Sequence, residues 1–267
     1  MPFTGLRLNS EPTAGVPSPQ HFLEALREAG ETTATDKITI HHYDLVYARA
    51  LQPFMAFNNF ALLEIGYGNG AGLLFWNKLF PQAFVYCLDR DHGRIDAERA
   101  CVLRVDQSDP DDLERAIGAV RHPIDLIVDD GSHHPDHQLL SFSILFKDLL
   151  QPGGTYIVED IETSYWRRGV LYGYSYSFGF GERRSMIEAA KLLVDFVNRR
   201  FLDPADFNLI CGLLLDLGVD PDAAKLIENI SFGRNAIIFS KILHALPDAD
   251  SLDYPHSHMT ARKLFLS

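Results

Sequence analysis

The chain has 267 residues, 46% of them hydrophobic and 22% charged, which suits one large α/β domain with additions and an ample core. Its 24 basic against 36 acidic residues give a formal charge of −12, which argues against broad nucleic-acid or anionic-membrane binding. Cys87, Cys101 and Cys211 are widely spaced and form no CxxC pair, no run reaches the length of a membrane span, and the first residues carry no apolar leader segment, so a cytoplasmic protein without disulfides is expected.

Residues 1–20 are rich in Pro, Gly, Ser and Thr and read as a flexible arm. Residues 21–29 have helical spacing and stop at Gly30, where a C-cap is expected. Residues 35–51 place Tyr43, Val46, Tyr47 and Leu51 on one helical face before Pro53 ends the run. Residues 21–58 therefore read as helices covering the front of a sheet, residues 59–243 as the main domain, and residues 244–267 as a polar tail.

From Phe60 a short apolar run leads into Glu64-Ile65-Gly66-Tyr67-Gly68-Asn69-Gly70 and then into a helix. The alternating glycines Gly66, Gly68 and Gly70 let the backbone approach a ligand where a Cβ would clash, and the helix beyond offers free N–H groups. The dinucleotide fingerprint G-x-G-x-x-G has its last glycine position filled here by Ala71. Residues 83–88 form a second strand ending at Asp89, where an acid can take both ribose hydroxyls of a nucleoside. Residues 100–105 form a third strand ending in Asp106-Gln107, a polar pair suited to an adenine edge. Each acid taken singly also fits plain turn chemistry; three features in register at successive strand ends fit it poorly. Residues 109–121 start with acids and end with Arg121, as the helix dipole prefers.

The stretch from Ile124 to Trp166 reads as strand, helix, strand, with a Pro-Gly-Gly turn at 152–154 before the second strand. The two strands lie parallel through a right-handed crossover, so Asp129-Asp130 and Glu159-Asp160 fall at the same carboxyl edge. Four acids there repel each other unless a cation or hydrogen-bond donors hold them, and a cation is the preferred reading. Residues 167–184, half aromatic or glycine, read as a mobile loop facing the substrate or as an oligomer contact. Residues 185–201 are an amphipathic helix, residues 207–217 a more uniformly apolar and buried one, and residues 226–232 and 235–241 a hairpin turning at Gly233-Arg234.

Strand, ExGxGxG, second-strand acid, third-strand acid and terminal hairpin together resemble the class I S-adenosylmethionine-dependent methyltransferases over residues 60–242. The resemblance implies a doubly wound, mostly parallel seven-stranded α/β sheet, Rossmann-like, with a C-terminal antiparallel hairpin. Thr35-Asp36-Lys37, His41-His42-Tyr43, the DQSDP run from Asp106, the DDGSHH run from Asp129 and the EDIETSYW run from Glu159 are similar to the metal-dependent sugar O-methyltransferases of macrolide antibiotic biosynthesis, the mycinamicin and tylosin type. That likeness implies magnesium (or manganese) ligands at Asp130, Glu159 and Asp160, a base at His133, and S-adenosyl-L-methionine at Glu64, Gly66, Gly68, Gly70, Asp89, Asp106 and Gln107. It also implies a small-molecule glycoside acceptor and a homo-oligomer. The glycine loop is more regular than that group's, and the long N-terminal domain that some members carry is not expected here.

Bottom-up chemistry agrees with such a set. A sulfonium methyl is already activated, so the tasks are alignment of an acceptor oxygen and lowering of its pKa, which a divalent cation on carboxylates performs. All-oxygen donors favour a hard ion over zinc. His133 and His137 could instead pair on zinc, although Pro135 places His133 outside the helix. Asp129 fits an orienting partner of the metal ligands or of the cofactor amine. Tyr165 and Trp166 could stack on a sugar or macrocycle, or serve the core. A catechol-type methyltransferase, a nicotinamide-dependent oxidoreductase and a non-catalytic cofactor-binding subunit remain the alternatives.

Overall fold

The computed structural model describes residues 17–243. Most of the expected N-terminal arm and the tail from 244 lie outside the described residues. Helix α1 (Pro19–Thr33) begins inside the expected arm, because Ser18 caps it through its hydroxyl and Pro19 supplies a preset first turn. It also runs through Gly30 rather than stopping there: Gly30 is buried against Ile38, whose atoms would lie 2.4 Å from any Cβ. Phe22, Leu26 and Ala29 form its buried face, each large side chain contributing about 1.5–3 kcal/mol of burial. The single helix expected over 35–51 is two, α2 (Asp36–Thr39) and α3 (Asp44–Leu51), separated at His42, whose φ of 56° cannot continue a right-handed helix. A 3₁₀ turn (Gln52–Ala56) then leads to the sheet.

The sheet is built in chain order from β1 (Phe60–Ile65), helix α4 (Ala71–Leu79), β2 (Ala83–Asp89), β3 (Ile95–Ala97), β4 (Ala100–Arg104), helix α5 (Pro110–Ala119) and β5 (Ile124–Asp129). Helix α6 (Pro135–Ser141) continues as a π-turn over Phe142–Phe146 before β6 (Leu150–Glu159). The order across the sheet is β3-β4-β2-β1-β5-β6-β10-β9, with β4, β2, β1, β5 and β6 parallel. It thus has eight strands rather than seven, the extra one being β3, three exposed residues antiparallel to β4. Pro152-Gly153-Gly154 is not a turn before β6 but a bulge within it. The pairing jumps from Ile124↔Leu150 to Leu126↔Thr155, and Gly153 takes φ +77°.

A 3₁₀ turn (Ile161–Tyr165) follows β6, then a small hairpin of β7 (Gly169–Leu171) and β8 (Tyr174–Tyr176). Helices α7 (Met186–Val197), α8 (Pro204–Asp216) and α9 (Pro221–Ala224) precede the closing hairpin of β9 (Ile227–Gly233) and β10 (Ala236–Lys241), in which β10 pairs antiparallel with both β6 and β9. The turn residues are Arg234-Asn235, one later than expected, with Asn235 at φ 56°. Helix α8 is not the buried helix its composition suggested: only Ile210 and Leu214 are buried, while Leu209 and Leu215 face outward.

Strand β1 is buried along its whole length because both faces of a parallel sheet are covered. Ala61, Leu63 and Ile65 join the core beneath α5 to α8, and Phe60 and Leu62 the core beneath α1 to α4. Among the described residues no helix is long and apolar enough to cross a membrane. Strand order reverses between β1 and β5, which opens a crevice at their carboxyl ends.

Candidate active site

A cavity of about 770 Å³ fills that crevice, walled by the loop after β1, the ends of β2, β4, β5 and β6, and α2. Gly66 takes φ +100° and lies so close to the β5 loop that a Cβ would meet the Asp130 carbonyl oxygen at 2.2 Å. Gly68, at φ +52°, opens toward the cavity with nothing near its missing Cβ. Gly70 serves differently: it caps α4 in the left-handed region and lies behind the wall.

Asp89 accepts from the amides of Tyr67 (2.9 Å) and Gly68 (3.2 Å) on one oxygen and from Asp91, His92 and the His92 ring on the other. Partial burial works against its charge, but these donors prevail and hold the carboxyl down at about 2. The second-strand acid thereby fixes the glycine loop while standing at the cavity wall. Asp106 also lines the cavity, one oxygen accepting from the Ser108 amide and hydroxyl. Gln107 lines it too, but its amide is already engaged. Its Nε2 donates to Asp129 (2.8 Å) and Ser141 (3.0 Å), and its Oε1 accepts from the Ser132 amide (2.9 Å).

The four acids do not act as one group. Asp129 is fully buried behind the wall, held by Gln107, the Ser141 hydroxyl (2.7 Å) and the Tyr156 hydroxyl (3.2 Å). Burial raises its carboxyl, and Ser141 and Gln107 oppose that rise. Hydrogen-bond donors thus hold Asp129, and no cation is needed there. Glu159 and Asp130 instead share the Lys37 ammonium, which lies 2.9 Å from Glu159 Oε2, bonds Asp130 Oδ2, and reaches Glu64 Oε1 at 3.0 Å. Lys37 is 1% exposed, and burial alone would depress its pKa; Asp130, Glu159 and Glu64 together hold it well above the ordinary lysine range. Burial still pushes Glu159 up to about 7 against the pull of Lys37.

Asp160 accepts from the Tyr43 hydroxyl (2.5 Å) and the Asn235 amide (3.0 Å) on Oδ1, which also lies 3.1 Å from His41 Nδ1. Its other oxygen stands 3.5 Å from His133 Nε2. His133 and Asp160 both take positive φ, 58° and 51°, a costly conformation for side chains of this size that clusters at functional sites. Asp130, His133 and Asp160 each offer a ligand atom within 4.8 Å of the others. Glu159 Oε1 and His133 Nδ1 are buried without a hydrogen-bond partner. Orphaned polar atoms beside carboxylate oxygens are the donor chemistry a hard divalent ion takes up.

The aromatic pair separates. Trp166 lines the main cavity, while Tyr165 faces a second crevice of about 310 Å³ beside Ile187, Lys191 and Phe232. The hairpin of β7 and β8 brings Leu171, Tyr172 and Tyr174 to the main cavity, and Tyr174 accepts from Arg90 at 2.7 Å. His137 does not pair with His133; it bonds the Ser132 hydroxyl and packs against His134, and burial lowers it to about 4. Sequence reasoning used Lys37, His41 and Tyr43 for the family likeness but gave neither them nor Asn235 a role in the site. The basic and aromatic residues of 35–43 were the signal, but nothing local shows that this segment reaches strand ends more than ninety residues away.

No family model matches the chain. It is 39% identical over 140 residues, 49% of its length, to the 8-demethyl-8-alpha-L-rhamnosyl tetracenomycin-C 2'-O-methyltransferase of Streptomyces olivaceus. It is 38% identical over 113 residues to the mycinamicin VI 2''-O-methyltransferase of Micromonospora griseorubida. The matched segments span only 36% and 28% of those relatives. Among solved structures, the mycinamycin-pathway methyltransferase MycE, in complex with Mg, SAH and mycinamycin VI, superposes with a TM-score of 0.69 at 23% identity, over 90% of this chain and 59% of that one. The chain therefore has the Rossmann-like methyltransferase fold, and over 39–49% of its length it resembles macrolide and polyketide sugar O-methyltransferases.

Proposed function

We propose that this chain is an S-adenosylmethionine-dependent O-methyltransferase that uses magnesium or manganese to methylate a sugar hydroxyl on a glycosylated natural product of the macrolide or polyketide type. The observation that carries this reading is the convergence, in one cavity, of a glycine loop fixed by Asp89 and an Asp130–His133–Asp160 cluster in which His133 and Asp160 take positive φ. The relatives' activities on rhamnosyl and mycinamicin sugars support the acceptor class.

In this reading Asp89 takes the ribose hydroxyls, Asp106 the adenine edge, and Gly66 and Gly68 admit the cofactor backbone. Asp130, Glu159 and Asp160 would hold the ion. When bound, it lowers the pKa of a coordinated hydroxyl. S-adenosylmethionine bound there would supply an already activated methyl, and His133, whose Nε2 stands 3.5 Å from Asp160, would take the proton of the acceptor hydroxyl. Trp166 and Tyr172 form the side of the cavity against which a sugar ring would lie. The acidic chain suits a neutral glycoside rather than nucleic acid, and we extend the proposal to a cytoplasmic homo-oligomer, to be checked by light scattering.

Isothermal titration tests the core of it. S-adenosylhomocysteine is expected to bind and NAD not to, with magnesium binding lost in Asp130→Ala. Binding of NAD, or of neither nucleotide, overturns the reading.

A further inference from the structure

The least expected group in the site is an ammonium where acids from three strands meet. Lys37 Nζ contacts Glu64 at the end of β1, Asp130 after β5 and Glu159 at the end of β6. All but Asp130 are nearly inaccessible, at 1% exposure each for Lys37, Glu64 and Glu159. A buried carboxylate without a counter-charge costs several kcal/mol, and three within reach of each other cannot all stay ionised. Lys37 arrives on α2, whose placement is fixed from outside the cavity. Ile38 packs into the space over Gly30, and the Lys37 carbonyl accepts from the Tyr43 amide at 2.8 Å. Two further residues of this segment, His41 and Tyr43, hold Asp160.

We propose that Lys37 is a built-in counter-cation, a positioning residue that keeps Glu64, Asp130 and Glu159 assembled and joins the glycine loop to the acid cluster before any divalent ion arrives. Of the four carboxylates at these strand ends, Lys37 contacts Glu64, Asp130 and Glu159, while Asp160 stands against Tyr43, His41 and His133 instead. Lys37 and Glu64 line the cavity, but the ammonium is taken up by three carboxylates and acts through the acids it binds. The segment 35–43 thereby becomes part of the site although it lies outside the sheet.

The role is separable from ordinary packing by a double-mutant cycle in EDTA, read as melting temperature. Lys37→Met keeps the volume and removes the charge, and is expected to lower the melting temperature by about 5 °C or more. Adding Glu159→Gln to Lys37→Met is expected to recover part of that loss, because one unpaired acid is removed, whereas Glu159→Gln alone lowers it. Lys37→Arg is expected to retain more stability than Lys37→Met. Should Lys37→Met give no soluble protein, recovery of folded protein in the double variant carries the same meaning. Equal losses from Glu159→Gln in both backgrounds, or no recovery of folding, overturn the proposal. A final arm rests on the metal reading: magnesium is expected to raise the melting temperature of Lys37→Met more than that of wild type. Absence of any magnesium effect in wild type counts against the metal reading, while the cycle in EDTA still decides the role of Lys37.

Discussion

Asp89 shows how one carboxylate can fix a loop and stand at a cavity wall together. Its folded pKa, about 2, lies below the ordinary value of 3.8. A depressed acid contributes stability that is present above the unfolded pKa and is lost as pH falls through the folded one. Asp89→Asn is therefore expected to be less stable than wild type at neutral pH, with the gap narrowing between pH 4 and pH 2 in denaturant titrations. Gly66 is the complementary case, a residue defined by what it lacks. Gly66→Ala would press a methyl onto the Asp130 carbonyl at 2.2 Å and hold alanine at φ +100°. A loss of about 1–3 kcal/mol is expected from the backbone strain alone, measurable by urea unfolding.

Elements here are decided by where their residues end up rather than by composition. Helix α8 is rich in leucine, yet its buried residues are only Ile210 and Leu214. Leu214→Ala is expected to cost about 2–5 kcal/mol, as for other buried leucines, whereas Leu215→Ser, at an exposed position, stays within about 0.5 kcal/mol. Equal effects at the two positions would mean that α8 is covered by something outside the described residues. The hairpin of β7 and β8 makes the opposite point. A segment without helical or alternating period still orders, because Tyr176 bonds the Ser132 carbonyl at 2.6 Å and Tyr174 bonds Arg90. This hairpin covers the face of the cavity between the β2 and β5 loops.

At the scale of the whole molecule, five parallel strands bring the informative residues to one edge, and α1 to α3 close the front. A ligand that binds only the folded chain stabilises it by mass action. S-adenosylhomocysteine at about a hundred times its dissociation constant is expected to add about 2.7 kcal/mol to the unfolding free energy, and NAD at the same concentration nothing. Calorimetry on the two nucleotides checks this directly, and equal effects would count against the proposed cofactor.

The sheet was legible in the amino-acid sequence because short apolar runs ending in glycine or acid are local signals. The runs at 60–65, 83–88, 100–105 and 124–128 all became strands, and Asp89, Asp106 and Asp130 all reached the cavity wall. Boundaries set by longer-range packing were not legible: Gly30 stays helical because Ile38 fills the space its side chain lacks, and Pro152-Gly153-Gly154 stays in a strand as a bulge. The need for a positive charge among the acids could be argued from residue types, since like charges at neighbouring strand ends repel. That a lysine from α2 supplies one, while Gln107 and Ser141 hold Asp129 apart from the rest, was decided only by the tertiary structure. The physical reason is distance along the chain: Lys37 and Glu159 are 122 residues apart, and only folding of the whole sheet brings them within 2.9 Å.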